Sequence, residues 1–219
     1  KQILAFTDGE LDLLVRAGCN RFSVGAESGS PRVLGYLGKD LAPADIVAAN
    51  RRMRRFPIVV YYSFVSGFPG ETVDDLHATI DLALRLTAEN GHARSSPIYN
   101  YFPLPGTPLY DRIVREAGYA PPARLEDWAA VDYGAVNVAY VGGDLRRALG
   151  RAYIPSLFMD DKFGEYSSSG AFKLAARAYR PVARARLSHR FFSLPLERAV
   201  YHAYLRARGE ARGGGGTQT

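Results

Sequence analysis

Hydrophobic residues in the first 120 positions switch repeatedly between two spacings. Three strand-like runs, RFSVGAE at 21–27, IVVYYSFVS at 58–66 and PIYNYF at 97–102, are each followed by residues that break strands, such as glycine, proline and serine. Apolar residues at helical spacing come after each of these runs. The pattern predicts three strand, loop and helix units, and therefore an α/β fold with parallel strands joined by right-handed crossovers.

Capping signals mark where the predicted helices begin. Thr7 followed by Glu10, and Thr72 followed by Asp75, have the spacing of capping boxes. Ser-Pro at 30–31 and Thr-Pro at 107–108 place a capping side chain before a proline. These signals predict a helix that ends at Gly18, a helix opened by Pro31, and helices at about 43–55, 72–89 and 107–117.

Beyond about residue 120 the alternating pattern stops. The run VNVAYV at 136–141 has the pattern of one more strand, and Asp144 is placed to cap a helix that reaches about Phe158. Two further helical stretches are predicted near 170–187 and 195–208. The sequence thus predicts an α/β part at 1–120, a mainly helical extension at 121–208 and a flexible tail at 209–219.

The charge and cysteine content narrow the class of protein. The formal net charge is +6, carried almost entirely by arginine and densest after Arg146. Arginines on solvated helix faces are the commoner reason for such a charge, and a surface for nucleic acid or acidic lipid is the alternative. A single cysteine, Cys19, excludes a disulfide framework and favours a reducing compartment. No apolar run reaches the roughly 18 residues that span a bilayer, so the sequence predicts a cytoplasmic protein.

A carboxylate ends the first predicted strand, in the stretch VGAESGSPRVL. The carboxyl ends of parallel strands form the ligand face of α/β folds, so Glu27 is placed to accept hydrogen bonds from a ligand. The alternative is that Glu27 caps the helix at Pro31 or pairs with Arg32. The residues alone leave these two interpretations equal.

The loop GFPGET follows the second predicted strand. Gly67 and Gly70 permit close approach of a ligand to the backbone, whereas a structural role is expected for Glu71, because a negative charge is favoured before a helix. The chain has neither a Walker loop nor a GxGxxG motif, and its histidines lack metal-ligand spacing. Taken alone, these residues predict only a ligand-binding α/β domain.

Four motifs in register add a family resemblance. GAESGSPRVL, then Lys39, then SFVSGFPGET and YNYFPLPGTPLYD resemble the second half of the radical S-adenosylmethionine (SAM) barrel, over residues 7–117. The resemblance is strongest to the branch that includes many cobalamin-binding members and methylthiotransferase-like or oxygen-independent coproporphyrinogen oxidase-like enzymes. It implies the C-terminal half of a partial (β/α)6 TIM-like barrel, with the three predicted strands as strands four, five and six.

The resemblance also implies a set of SAM-binding residues. Glu27, with Ser28 beside it, matches the strand-four contact, and Lys39 matches a basic position that pairs with the SAM carboxylate. Ser63 matches a ribose-binding position that is often acidic in relatives, so that contact is expected to be weakened. The remaining matches are Phe102, against which adenine rests, and the adenine-binding backbone of Val65, Ser66 and Gly67.

One part of the family pattern is missing from this sequence. The family holds a [4Fe-4S] cluster with a CxxxCxxC loop and binds the SAM amino group with a Gly-Gly-Glu segment; both motifs are absent, and Cys19 cannot replace three thiolates. The resemblance therefore implies a C-terminal fragment, inactive alone, with an open sheet edge at its first strand. The complete parent is expected to cleave SAM reductively to a 5'-deoxyadenosyl radical and to act on a small molecule or RNA, with cobalamin as a further cofactor of the parent.

Two other classes of function stay open from the sequence. One is a non-catalytic SAM-binding or nucleotide-binding α/β protein, and the other is an arginine-rich nucleic-acid-binding module that uses the arginines after Arg146. The second ranks last, because aromatic residues are not interleaved with a basic strand face as single-strand binding requires.

Overall fold

The computed structural model describes residues 5–128, 139–159 and 170–192. Its sheet has three parallel strands in the order β1 (Arg21–Glu27), β2 (Val59–Ser66) and β3 (Ala93–Asn100). Each connection between neighbouring strands contains helix, as parallel pairing requires. The predicted α/β fold is confirmed for this part of the chain.

The helices of the described residues follow the capping signals closely. Both predicted capping boxes are formed, at Thr7 with Glu10 and at Thr72 with Asp75. Ser30 and Thr107 cap their helices, each followed by a proline in the first turn. The helices are α1 (Asp8–Arg16), α2 (Pro31–Tyr36), α3 (Pro43–Met53), α4 (Val73–Glu89), α5 (Pro108–Glu116), α6 (Leu125–Trp128), α7 (Gly143–Leu157) and α8 (Gly170–Ser188).

The central strand β2 lies in the middle of the hydrophobic core. Its residues Val60, Tyr62 and Phe64 are at most 1% exposed, because they alternate onto one face of the sheet. Helix α4 contributes Ile80 and Leu86 to the same core cluster, and α7 contributes residues from the C-terminal extension. The extension therefore shares the core of the α/β part.

The third strand begins earlier than the sequence predicts. The apolar pattern placed it at 97–102, but β3 covers Ala93–Asn100. Ser95 and Ser96 interrupt the pattern, yet both are buried, and the Ser96 hydroxyl accepts a hydrogen bond from the Phe64 amide at 3.0 Å. Because the hydroxyls of both serines form hydrogen bonds inside the sheet, these residues can continue the strand. Phe102 lies beyond the end of β3.

Other predictions in the extension need correction or lie outside the described residues. Asp144 sits in the first turn of α7, whose N-cap is Gly142, so the predicted cap is wrong by two positions. Residues 139–141 of the predicted VNVAYV strand are turn and bend, and the rest of that run is outside the description. The predicted helix at 195–208 and the tail also lie outside it.

The first strand forms one edge of the sheet. In the described part of the chain β1 pairs with β2 alone, as expected for an open edge. Its positions Arg21, Ser23 and Gly25 are exposed. Among the helices of the described ranges, none has the length and hydrophobicity to cross a bilayer.

Candidate functional site

Glu27 ends β1 in an uncommon backbone conformation. Its φ is 60°, in the left-handed region that residues other than glycine seldom occupy. The pairing register with β2 shifts between Gly25 and Glu27, a bulge of the kind that re-aims a side chain at the end of a strand. The Glu27 carboxylate then accepts a hydrogen bond from Lys39, with 3.0 Å between Nζ and Oε1.

The structure shows neither of the two structural roles that were considered for Glu27, which were capping the helix at Pro31 and pairing with Arg32. Helix α2 is capped by Ser30, whose hydroxyl accepts from the Val33 amide at 3.4 Å. Arg32 pairs with Asp75, on α4. Glu27 is therefore free of both structural duties, and its carboxylate and the Lys39 ammonium lie together at the carboxyl end of the strand.

The Glu27–Lys39 ion pair is open to solvent. The side chain of Lys39 is 40% exposed and that of Glu27 is 23% exposed. An exposed pair of this kind contributes at most about 1 kcal/mol to stability. The pair thus has little value to the fold, and it presents one negative and one positive group at the ligand face.

Gly25 is a site residue that the sequence reasoning missed. A Cβ atom at this position would lie 2.4 Å from Glu27 Oε1 and 3.6 Å from Lys39 Nζ. The absence of a side chain therefore lets the Glu27 carboxylate lie back over the strand. A glycine inside an otherwise apolar strand often marks a close approach, and that signal was present in RFSVGAE.

Ser28 is engaged inside the fold. It is fully buried, and its hydroxyl shares a hydrogen bond with the Thr79 hydroxyl at 2.9 Å. The Ser30 amide donates to the same Ser28 oxygen at 3.1 Å. The structure therefore gives Ser28 a role in fixing the turn after Glu27, while a direct contact with a ligand stays a prediction.

Glu71 organises the loop that follows β2. Its carboxylate accepts from the Ser66 hydroxyl at 2.6 Å, from the Gly67 amide at 2.6 Å and from the Phe68 amide at 2.9 Å. Burial raises the pKa of Glu71, and these hydrogen bonds oppose the rise. The expected structural role of Glu71 is confirmed by these contacts.

The same contacts limit what the predicted adenine-binding edge offers. The Gly67 amide and the Ser66 hydroxyl are bonded to Glu71, and the Ser66 carbonyl accepts from the Tyr101 amide at 2.7 Å. Gly67 has a φ of 96°, which favours glycine. The Gly67 amide is therefore already engaged within the fold, whereas the Ser66 carbonyl keeps a second lone pair for another donor.

The remaining predicted residues lie at two places along the sheet. Ser63 is the cross-strand partner of Gly25, which brings it to the Glu27 side, and Val65 pairs with Tyr99. Phe102 follows β3 and meets two rings edge-on, Tyr119 at 6.2 Å and Trp128 at 6.0 Å between centroids. Phe102 thus belongs to an aromatic group that includes the start of the extension.

Several arginines of the extension form hydrogen bonds with other residues of the same chain. Arg184 donates to the Thr87 hydroxyl at 2.8 Å and to the Leu84 carbonyl at 3.2 Å. Arg190 donates to Asp81 at 2.6 Å. These contacts attach the region of α8 to α4, so part of the basic charge considered for nucleic acid has a structural role.

A [4Fe-4S] cluster does not fit the residues of this chain. Cys19 is the only cysteine of the sequence, whereas the family's cluster site needs three thiolates. Cys19 also precedes β1. Because a strand of seven residues spans roughly 20 Å, Cys19 and Glu27 lie near opposite ends of β1. Cys19 therefore cannot be a cluster ligand next to the Glu27–Lys39 pair.

Comparison with known proteins shows a family similarity over part of the chain. Residues 4–83 match the family model of the Radical SAM superfamily. An uncharacterized methyltransferase of Pyrococcus horikoshii is 29% identical over 110 residues, which are 50% of this chain and 23% of that protein. The tRNA-2-methylthio-N(6)-dimethylallyladenosine synthase of Nitrosomonas europaea is 34% identical over 87 residues, 39% of this chain and 18% of the synthase. That of Corynebacterium jeikeium is 31% identical over 107 residues, 47% of this chain and 20% of the synthase.

The matched segments span only about a fifth of the length of these curated relatives, between 18% and 23%. The comparisons do not test the cobalamin-binding branch, which stays a prediction. The family match covers β1, the Glu27–Lys39 pair and β2, and it reaches into α4. Residues 4–83 of the chain, which carry this candidate site, are therefore similar to the Radical SAM superfamily.

Proposed function

We propose that this chain is the SAM-binding portion of a radical SAM iron-sulfur enzyme. The observation that carries the proposal is the Glu27–Lys39 pair, 3.0 Å apart at the carboxyl end of β1 and inside the family segment. The amino-acid end of SAM carries an ammonium and a carboxylate. Glu27 accepts hydrogen bonds from an amino or hydroxyl group of SAM, and Lys39 donates to its carboxylate.

The nucleoside of SAM is proposed to lie along the same edge of the sheet. Ser63, the cross-strand partner of Gly25, is proposed to face the ribose, and Phe102 to supply an aromatic surface for adenine. Val65 and the loop at Ser66 and Gly67 contribute backbone groups that Glu71 does not occupy. Ser28 supports this arrangement by fixing the turn after Glu27 through its buried hydrogen bonds.

The complete protein is proposed to hold this chain as the last three strands of a partial TIM-like barrel. The cluster cysteines then come from other parts of that protein, so the fragment alone is inactive. When bound together, SAM and the cluster supply the radical chemistry. The edge of β1 that has no strand partner among the described residues supports this larger assembly, and so does the small share of the relatives that the chain matches. The substrate is proposed to be a small molecule or RNA, and the site of action the cytoplasm.

Calorimetric titration with SAM tests the binding proposal. The folded chain should release or absorb heat with SAM, and Glu27→Ala should weaken binding about tenfold, since one charge-assisted hydrogen bond is lost. Asp12→Ala, which removes an exposed carboxylate on α1, is the matched control and should bind as the wild type does. A folded wild-type chain that gives no binding heat contradicts the proposal.

A non-catalytic SAM-binding protein is the second candidate, because this chain has a single cysteine. The reading frame upstream separates the two candidates. A catalytic parent should encode a CxxxCxxC motif about 80–120 residues before Lys1, since one strand and helix unit of a barrel takes roughly 30–40 residues. SAM binding without that motif in the whole gene favours the non-catalytic candidate.

A further inference from the structure

The first turns of α4 contact both loops of the candidate site. The turn after β1, residues 28–30, meets α4 at Asp75 and Thr79. The loop after β2, residues 67–71, leads directly into the same helix and is held by Glu71. One helix start therefore sets the distance between the loop that follows Glu27 and the loop of the predicted adenine edge.

Asp75 gathers donors from three segments. Its Oδ1 accepts from the Ser30 hydroxyl at 2.5 Å, and its Oδ2 accepts from the Thr72 amide at 2.8 Å and from the Thr72 hydroxyl at 2.7 Å. Arg32 also pairs with Asp75 and donates to the Gly70 carbonyl at 2.9 Å. Arg32 and Asp75 together thus join α2, α4 and the loop after β2.

Thr79 holds the turn after Glu27 directly. Its hydroxyl bonds the Ser28 hydroxyl at 2.9 Å and accepts from the Gly29 amide at 3.0 Å, while it donates to the Asp75 carbonyl at 2.9 Å. The turn lies so close to α4 that a Cβ atom on Gly29 would be 2.1 Å from the Ala78 carbonyl oxygen. This docking fixes the backbone immediately after Glu27.

The docking explains why Glu27 keeps its left-handed conformation. A residue other than glycine stays at a φ of 60° only where its surroundings determine the backbone strongly. The neighbours of Glu27 supply this on both sides, through the bulge at Gly25 and the buried turn at Ser28. Without the turn, the carboxylate would lose its fixed direction.

We infer that Asp75 and Thr79 are positioning residues of the SAM site, which act by holding the turn after Glu27 against α4. The inference rests on the proposed function, because it takes Glu27 as a residue that binds SAM. Neither side chain touches the ligand itself. Their loss is expected to weaken SAM binding through the freedom that Glu27 gains.

Three threonine variants test the inference with two measurements. Thr79→Val removes the hydroxyl and keeps the shape, and Thr79→Ser restores the hydroxyl. Thr87→Val is the matched control, since Thr87 lies on the same helix and its hydroxyl also joins two segments: it donates to the Ala83 carbonyl at 3.0 Å and accepts from Arg184 at 2.8 Å, away from both loops. The measurements are amide hydrogen exchange of residues 25–30 and the affinity for SAM.

Thr79→Val should speed exchange in 25–30 and weaken SAM binding, each about tenfold, as the loss of a buried hydrogen bond predicts. Thr79→Ser should stay within about threefold of the wild type, and Thr87→Val should change neither measurement. If Thr79→Val fails to fold, Ser28→Ala removes the same hydroxyl pair from the loop side. A Thr79→Val or Ser28→Ala protein that matches Thr87→Val in both measurements overturns the inference.

The two proposals fail separately in this design. Wild-type protein that does not bind SAM contradicts the proposed function, whatever the variants do. Even in that case, amide exchange that is faster only at residues 25–30 in Thr79→Val would show that Thr79 holds the turn. Wild-type binding with a turn that does not respond to Thr79→Val contradicts the positioning role alone.

Discussion

The hydroxyl of Ser30 donates to Asp75 Oδ1 at 2.5 Å, across 45 positions of sequence. The same Ser30 oxygen caps α2 by accepting from Val33, and Asp75 is the N3 residue in the capping box that begins α4. Two helix N-termini therefore share one buried hydrogen-bond network. Because both helices follow strands at the ligand face, this network relates the ends of β1 and β2 to each other.

Lowering the pH should remove the contribution that Asp75 makes to the free energy of unfolding. Burial alone raises the pKa of Asp75, but hydrogen bonds from Ser30, Thr72 and Arg32 outweigh it and hold the pKa at about 2. A carboxylate with a depressed folded pKa stabilises the protein above its unfolded pKa, near 3.9, and this contribution is lost as pH falls towards 2. The shift corresponds to roughly 2–3 kcal/mol.

Urea unfolding between pH 2 and pH 6 measures this contribution. The free energy of unfolding of Asp75→Asn should lie below that of the wild type at pH 6 and approach it near pH 2. Asp12→Asn, on the exposed face of α1, is the control and should follow the wild-type pH profile. A constant difference between Asp75→Asn and the wild type over this range would contradict the assigned pKa.

Removing the Glu71 carboxylate should destabilise the loop after β2. Glu71→Ala leaves the Gly67 and Phe68 amides and the Ser66 hydroxyl without their acceptor. Buried donors without partners cost about 1–3 kcal/mol each, so a loss of roughly 2–4 kcal/mol is expected after partial solvation. Glu71→Gln keeps a carbonyl acceptor and should lose about 1 kcal/mol, as measured by thermal or urea unfolding. Equal losses for both variants would contradict the role of the acceptor.

The pH dependence of Glu71 has the opposite sign to that of Asp75. Burial raises the pKa of Glu71, so the folded state holds its proton more tightly than the unfolded state. The stabilisation is present below the unfolded pKa, near 4.3, and is lost as pH rises through the folded pKa. The stability of the wild type relative to Glu71→Gln should therefore fall as pH rises above about 4.5, measured in the same series of urea titrations. An increase over that range would show that the hydrogen bonds dominate.

The residues divide into those that local pattern predicts and those that only the fold brings together. The end of β1 at Glu27 and the caps at Thr7, Ser30, Thr72 and Thr107 follow from spacing, because each depends on neighbours within a few positions.

Contacts between distant residues are hidden from such patterns. Thr79 meets Ser28 across 51 positions, and nothing in the helical periodicity of α4 singles it out. The start of β3 was missed for a related reason. Ser95 and Ser96 look polar in sequence, and only their buried hydrogen bonds make them suitable for a strand. Gly25 gave a recognisable signal, but its meaning depends on where the Glu27 side chain goes.

Gly25→Ala should impair SAM binding with little effect on stability. The added Cβ would lie 2.4 Å from Glu27 Oε1 and must displace the carboxylate from Lys39. The ion pair is exposed, so the free energy of unfolding should change by no more than about 1 kcal/mol. SAM affinity should fall about tenfold by calorimetry, and Gly25→Ala combined with Glu27→Ala should be no worse than Glu27→Ala alone. Gly9→Ala, in open space on α1, is the control. Additive losses in the double variant would place the effect of Gly25 elsewhere.

Lys39 should discriminate SAM from a ligand that lacks the amino-acid end. If its ammonium binds the SAM carboxylate, Lys39→Ala should weaken SAM binding about tenfold, the usual scale for one charge-assisted hydrogen bond. Binding of 5'-methylthioadenosine, which has the nucleoside but no carboxylate, should be unchanged. Lys39→Arg retains the charge and should recover most of the affinity, because a guanidinium also donates charge-assisted hydrogen bonds to a carboxylate.

The comparison of the two ligands separates direct binding from a general effect on the site. Lys39 is 40% exposed and is hydrogen-bonded to Glu27, so its removal could also act by freeing the Glu27 carboxylate. In that case Lys39→Ala and Lys39→Arg would differ for SAM, yet Glu27→Ala would abolish the difference. If Lys39 contacts the SAM carboxylate directly, the difference between the two variants persists in the Glu27→Ala background. Equal losses of SAM and 5'-methylthioadenosine would show that Lys39 does not recognise the amino-acid end of the ligand.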